Sequence, residues 1–84
     1  MFFVYILLCR GGTYYTGYTN DIDKRLMTHN QGKASKYTRS RLPVKVVYIE
    51  ECSTKSEAMK REIAIKKLKH LEKKLLAETY LKDN

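Results

Sequence analysis

The 84 residues can enclose one hydrophobic core, and a chain of this length buries only about 60–65% of the surface that its unfolded form exposes. Hydrophobic residues at 43% and charged residues at 31% exclude a disordered chain, and the longest apolar run, Phe2 to Leu8, is far too short to cross a bilayer. Seventeen Lys and Arg against nine Asp and Glu give +8, an excess that draws polyanions to the surface before any specific contact forms.

In chain order, Phe2 to Cys9 is aromatic, β-branched and ended by Arg10-Gly11-Gly12, which predicts a buried strand. Thr13 to Thr19 is a second strand rich in Tyr and Thr, so the two form a hairpin. Tyr5 and Tyr15 share a face of that hairpin if the connection is three residues, Gly11 to Thr13, because a one-residue slip would reverse one of them. Asn20 is suited to cap a helix, with Asp21 and Asp23 in its first turn and Gly32 stopping it after about Gln31.

Gly32 to Pro43 is a basic loop, and Val44 to Glu51 is a third strand. Thr54-Lys55-Ser56-Glu57 is a capping box opening a helix to about Leu68. A last helix covers Leu71 to Leu81, after a kink near Lys69-His70 that neither Gly nor Pro marks. The pattern predicts an α+β fold: a three-stranded antiparallel-type sheet flanked by helices, in the order β-β-α-β-α-α. One domain spans residues 1–84, with a core at about 2–76 and a tail at about 77–84. Cys9 and Cys52 match no zinc or disulfide pattern and are expected as two reduced, buried thiols. With no basic leader or cleavage site ahead of the apolar run, a cytoplasmic location is expected.

Three features point to chemistry. At about 100° per residue, with Ile22 at zero, Leu26 falls at about 40°, His29 at about 340° and Arg25 at about 300°. Arg25 and His29 thus form an i, i+4 pair on the stripe that must face the sheet. In the next helix Glu62 falls at about 40° from Ala58, inside an arc bounded by Ile65, Met59 and Ile63. A carboxylate there needs a positive partner, either Lys66 one turn on or a divalent cation completed by water and phosphate oxygens. Thirdly, Lys33, Lys36, Arg39, Arg41 and Lys45 run through thirteen residues without an acid. That run is either a solvated loop or a nucleic-acid-binding surface, with Tyr37, Thr38 and Ser40 as further phosphate and base partners.

Taken together these residues resemble the GIY-YIG nuclease family. Phe3-Val4-Tyr5 stands where the family has its first tripeptide and Tyr15-Thr16-Gly17 where it has the second, ten positions between the tyrosines. Arg25 follows ten further on, His29 four after it, and Glu62 in Ala58-Met59-Lys60-Arg61-Glu62 matches the single metal-binding glutamate. The likeness runs from Phe2 to about Leu76 and is closest to the short, stand-alone bacterial members. Relatives often carry a late asparagine near the metal, for which Asn30 and Asn84 are the candidates.

The resemblance implies an endonuclease-type phosphodiesterase, with DNA ahead of RNA as substrate, one Mg²⁺ or Mn²⁺ held by Glu62, and a role in repair or recombination. It implies that Arg25 stabilises the transition state, that Tyr5 accepts or relays the proton of the attacking water, and that Tyr15 and His29 orient water or phosphate. Tyr5 near its ordinary pKa of about 10 is a poor base, so a water-relayed or metal-assisted route competes with direct abstraction. Lys33, Lys36, Arg39, Arg41 and Lys66 would hold the strand. The alternative is a non-catalytic nucleic-acid-binding module on the same scaffold.

Overall fold

The computed structural model describes residues 1–83. Its strands are β1 (Phe2–Cys9), β2 (Tyr14–Thr19) and β3 (Val44–Cys52), and its helices α1 (Ile22–Asn30), α2 (Lys36–Arg39), α3 (Lys55–Lys66) and α4 (His70–Asp83). The three strands make one antiparallel sheet in the order β2-β1-β3. The anticipated order holds, with one addition: a four-residue helix inside the basic segment, capped by Ser35, whose side chain accepts from the Thr38 amide.

In β1 the residues alternate strictly between two buried layers, as the period of a strand requires. Val4 and Ile6 join Val47, Ala58, Ile65 and Ala77 in a layer under α3 and α4. Tyr5, Leu7 and Cys9 join Val44, Ile22 and Leu26 in a layer under α1. The hairpin register pairs Tyr5 with Gly17 and Leu7 with Tyr15, so Tyr5 and Tyr15 do share a face. The three-residue connection is Arg10 to Gly12 rather than Gly11 to Thr13, since the Cys9 amide donates to the Thr13 carbonyl at 2.8 Å. Both placements have the same parity, which is why the face assignment survives. Gly11 at φ +95° and Gly12 at φ +89° supply the left-handed conformations of this turn.

Helix boundaries follow local hydrogen bonding. Asp21, not Asn20, caps α1, its Oδ1 accepting from the Lys24 amide at 3.1 Å. At the other end the Lys33 amide donates to Thr28 and the Gly32 amide to His29, with Gly32 at φ +75°. This is the two-bond glycine stop expected there. At α3, Thr54 accepts from the Glu57 amide at 3.1 Å, while the Glu57 carboxylate reaches back to the Ser53 amide at 3.0 Å. α3 ends two residues earlier than expected, at Lys66, and α4 runs on through Asp83, with Ala77 buried and Tyr80 edge-on to Tyr48. Glu72 marks the break between them by accepting from the Lys69 amide at 2.9 Å, a carboxylate cap in place of a glycine or proline.

A bidentate ion pair fixes α3 to the sheet. Arg61 donates to both carboxylate oxygens of Glu50 at 2.6 and 2.8 Å, and the Tyr48 hydroxyl donates to the same carboxylate at 2.7 Å. Cys9 and Cys52 are both buried and free. Among the described residues, no helix is long and apolar enough to cross a membrane.

Candidate active site

β2 is an edge strand, and an open hollow of about 400 Å³ lies against it where the two layers meet. Tyr15 and Gly17 of β2, Arg25 and His29 of α1, and Glu62 of α3 all line it. Helix α1 reaches the hollow from one layer and α3 from the other. Four of the five predicted catalytic side chains therefore meet in one place. The fifth, Tyr5, is 3% exposed and lies beneath, its hydroxyl 2.9 Å from His29 Nε2.

Gly17 explains how the phenol comes so close to the hollow. A Cβ at this position would stand 2.5 Å from the Tyr5 hydroxyl oxygen and 2.7 Å from its Cζ. No side chain fits without moving the Tyr5 ring. The second tripeptide thus needs its glycine to leave room for the tyrosine of the first.

His29 is 1% exposed, inside the stripe set by Ile22 and Leu26, as its helical angle required. Both Tyr5 and Tyr15 rings meet it edge-on, at centroid distances of 5.8 and 5.2 Å. Burial foremost, and the nearby Arg25 charge second, hold its pKa below the ordinary imidazole value, so the ring is neutral at pH 7. Tyr5 is displaced the other way. Burial pushes the phenol well above its usual range, Tyr15 adds to this, Arg25 opposes it and Glu62 raises it further.

Glu62 is half-buried rather than central to an apolar arc. Met59 and Ile63 are 44% and 52% exposed, which narrows the buried face of α3 to Ala58 and Ile65 and leaves Glu62 at its border. Lys66 pairs with it at 3.5 Å, one turn on. Among the described residues no other acid lines the hollow and no three His, Cys, Asp or Glu converge. A lone carboxylate facing open space suits Mg²⁺ or Mn²⁺, which take one or two protein oxygens and fill the remainder with water and phosphate. It does not suit zinc, which needs three or four protein ligands. Arg25 has no ion-pair partner among the described residues, so its guanidinium is available to an anion in the hollow.

Of the predicted nucleic-acid contacts, Lys33, Lys36 and Arg39 are exposed along the segment whose Ala34 forms one rim of the hollow. Arg41 is committed internally: it donates to the Tyr37 carbonyl at 2.8 Å and covers the Tyr37 ring at 3.8 Å. Lys66 contacts Glu62 and does not line the hollow. Thr38 cannot touch phosphate, because it is fully buried against His29. Asn30 is also structural, its amide donating to the Val44 carbonyl at 3.1 Å and accepting from the Val44 amide at 2.9 Å, which ties α1 to β3. Asn84 lies outside the described residues.

Asn20 and Lys55 line the hollow and were missed. Asn20 reads as a cap and Lys55 as part of a capping box. Asn and Asp cap equally well, so no local signal distinguished Asn20 from Asp21.

These positions coincide with a known domain. Residues 1–82 match the GIY-YIG catalytic domain. The chain belongs to the GIY-YIG family. It is 55% identical over 76 residues to a UPF0213 protein of Bacillus licheniformis, covering 90% of this chain and 78% of that one. To a UPF0213 protein of Streptococcus pneumoniae it is 46% identical over 82 residues, covering 98% and 79%. Among solved structures, the solution structure of a UPF0213 protein from Bacillus halodurans is similar with a TM-score of 0.59 at 42% identity, covering 94% of this chain and 85% of that one. A solution structure from E. faecalis is similar with a TM-score of 0.60 at 41% identity, covering 93% and 83%. The GIY-YIG domain is that of a nuclease family whose members are generally divalent-metal dependent, and it implies a nucleic-acid substrate.

Proposed function

We propose that this GIY-YIG domain is a divalent-metal-dependent endonuclease that hydrolyses phosphodiester bonds, DNA ahead of RNA, in repair or recombination in the cytoplasm. The observation that carries this reading is the convergence of Tyr15, Arg25, His29 and Glu62 on one hollow, with the Tyr5 hydroxyl hydrogen-bonded to His29 beneath it.

A phosphate in the hollow meets the guanidinium of Arg25, which stabilises charge developing on its equatorial oxygens. Glu62 would hold one Mg²⁺ or Mn²⁺, which when bound supplies Lewis-acid polarisation of a phosphate oxygen and the leaving group. The raised pKa of Tyr5 argues against a standing phenolate, and the hydrogen bond to His29 makes one unnecessary. The Tyr5 oxygen accepts a proton from the attacking water as its own proton passes to His29 Nε2. The water oxygen then bonds to phosphorus and the leaving oxygen departs. His29, kept neutral by burial, is the acceptor at the end of this relay. Lys33, Lys36 and Arg39 hold the strand along the rim. If about four phosphates are neutralised, log K falls against log salt with a slope of about −3.6.

One observation favours the non-catalytic binding module: Lys66 already compensates Glu62 at 3.5 Å without any ion. Plasmid, single-stranded and branched DNA, incubated with Mg²⁺, Mn²⁺ or EDTA, separate the two. Cutting that needs the cation and vanishes in Glu62→Ala, with binding retained, is the expected result. Retardation of every substrate with no cutting would replace the enzyme by the module, and no retardation at low salt would remove both.

A further inference from the structure

We propose that Thr38 is a positioning residue that fixes His29 as its Nδ1–H tautomer, leaving the Nε2 lone pair to receive the Tyr5 proton. This rests on the nuclease reading for its catalytic meaning, but the tautomer itself is measurable without turnover.

Thr38 has no exposed surface, and its Oγ1 lies 2.9 Å from His29 Nδ1 and 3.3 Å from the Ser35 carbonyl oxygen. The carbonyl can only accept, so the Thr38 hydroxyl donates to it and accepts from Nδ1–H. On the other side of the ring, the Tyr5 hydroxyl lies 2.9 Å from His29 Nε2. With the proton on Nδ1, three donors have three acceptors: Tyr5 to Nε2, Nδ1 to Thr38, and Thr38 to Ser35. Reversing the ring would make Nε2 a donor to Tyr5 and leave the phenol proton only water of the hollow as acceptor, in exchange for a buried hydrogen bond within the protein. A protonated ring would have the same defect, in keeping with its lowered pKa.

The fold supplies the reason for α2, a helix of only four residues. Ser35 caps it by accepting from the Thr38 amide at 3.3 Å, which turns Thr38 inward while Lys36 and Arg39 stay exposed. The segment carrying the cationic rim thus also sets the proton on the imidazole. A ring nitrogen's role is commonly fixed by what its other nitrogen bonds to.

The test is long-range ¹H–¹⁵N correlation of the His29 ring in the whole chain, together with steady-state cleavage. Wild type and Thr38→Ser should both show the proton on Nδ1. Thr38→Val keeps the shape and loses the acceptor, so Nε2–H should become populated, with kcat falling roughly 10–100-fold and KM unchanged. A wild-type ring protonated on Nε2 would overturn the proposal, as would Thr38→Val with an unaltered ring and full kcat. Should Thr38→Val fail to fold, the wild-type and Thr38→Ser spectra still decide. A protein that cuts nothing yet shows Nδ1–H in the wild type and Nε2–H in Thr38→Val would refute the nuclease and uphold the Thr38 assignment.

Discussion

β1 presents two surfaces that differ in chemistry although their residues alternate in a single strand. Val4 and Ile6 look into a layer closed by Val47, Ala58, Ile65 and Ala77. Tyr5 and Leu7 look the other way, and Tyr5 begins a line of polar groups through His29 to Thr38, all of them buried. The first layer removes apolar surface from water and holds the fold. The second accepts the cost of buried polar atoms, and from Tyr5 through His29 to Thr38 meets it with one hydrogen bond per donor. Alternation lets a short chain assign apolar packing to one face and a buried hydrogen-bonded chain to the other.

Substitutions on the two faces should therefore separate rate from stability. The largest effect is expected from Arg25→Ala, which should cut the rate about 10²–10³-fold while the melting temperature changes little. A melting point that collapsed with the rate would make Arg25 structural. Gly17→Ala comes next: a Cβ 2.5 Å from the Tyr5 oxygen displaces the ring, and the rate should drop by up to about 10²-fold with substrate retardation intact. Ile6→Val, on the opposite face, should cost about 1 kcal/mol of stability, read by urea unfolding, with the rate per folded molecule unchanged. Smallest is Glu50→Gln, which weakens the exposed Arg61 pair and should cost up to about 1 kcal/mol.

The pH dependence sharpens the same contrast. Because the folded pKa of His29 lies below its unfolded value of about 6.5, the unfolded chain binds the proton first as pH falls. Its contribution to stability is full above that pH and lost below it, towards the folded pKa. Cleavage should fall over the lower part of this range as the relay's acceptor becomes occupied. Urea titrations from pH 8 to 5 should show the stability loss in the wild type and a smaller one in His29→Gln; equal losses would assign it elsewhere.

Much of this was legible beforehand because strand and helix periods are local. The parity of the hairpin aligns Tyr5 with Tyr15 even though the expected turn, Gly11 to Thr13, lies one residue beyond the observed one. The angle of His29, about 20° from Ile22 on the side away from Leu26, gave its burial. Misreadings arose where a competing hydrogen bond decided. Asp21 outcompeted Asn20 as a cap, Asn30 went to the Val44 backbone instead of the site, and Glu72 broke a helix without a glycine. Thr38 passed for a phosphate contact because a basic neighbourhood suggests solvent, and nothing local showed that Ser35 would turn it inward.

Periodicity and spacing alone determined every element but α2, the shared tyrosine face and the inward pair Arg25 and His29, while the family likeness lay in which residues stand at those positions. The tertiary structure decided where these meet. Placing β1 in the centre leaves β2 at an edge, and only at an edge can α1 from one layer and α3 from the other close on the same hollow. The donor–acceptor chain from Tyr5 to Ser35 was likewise a tertiary outcome, because its links join residues 24, 9 and 3 positions apart, and only packing sets such distances.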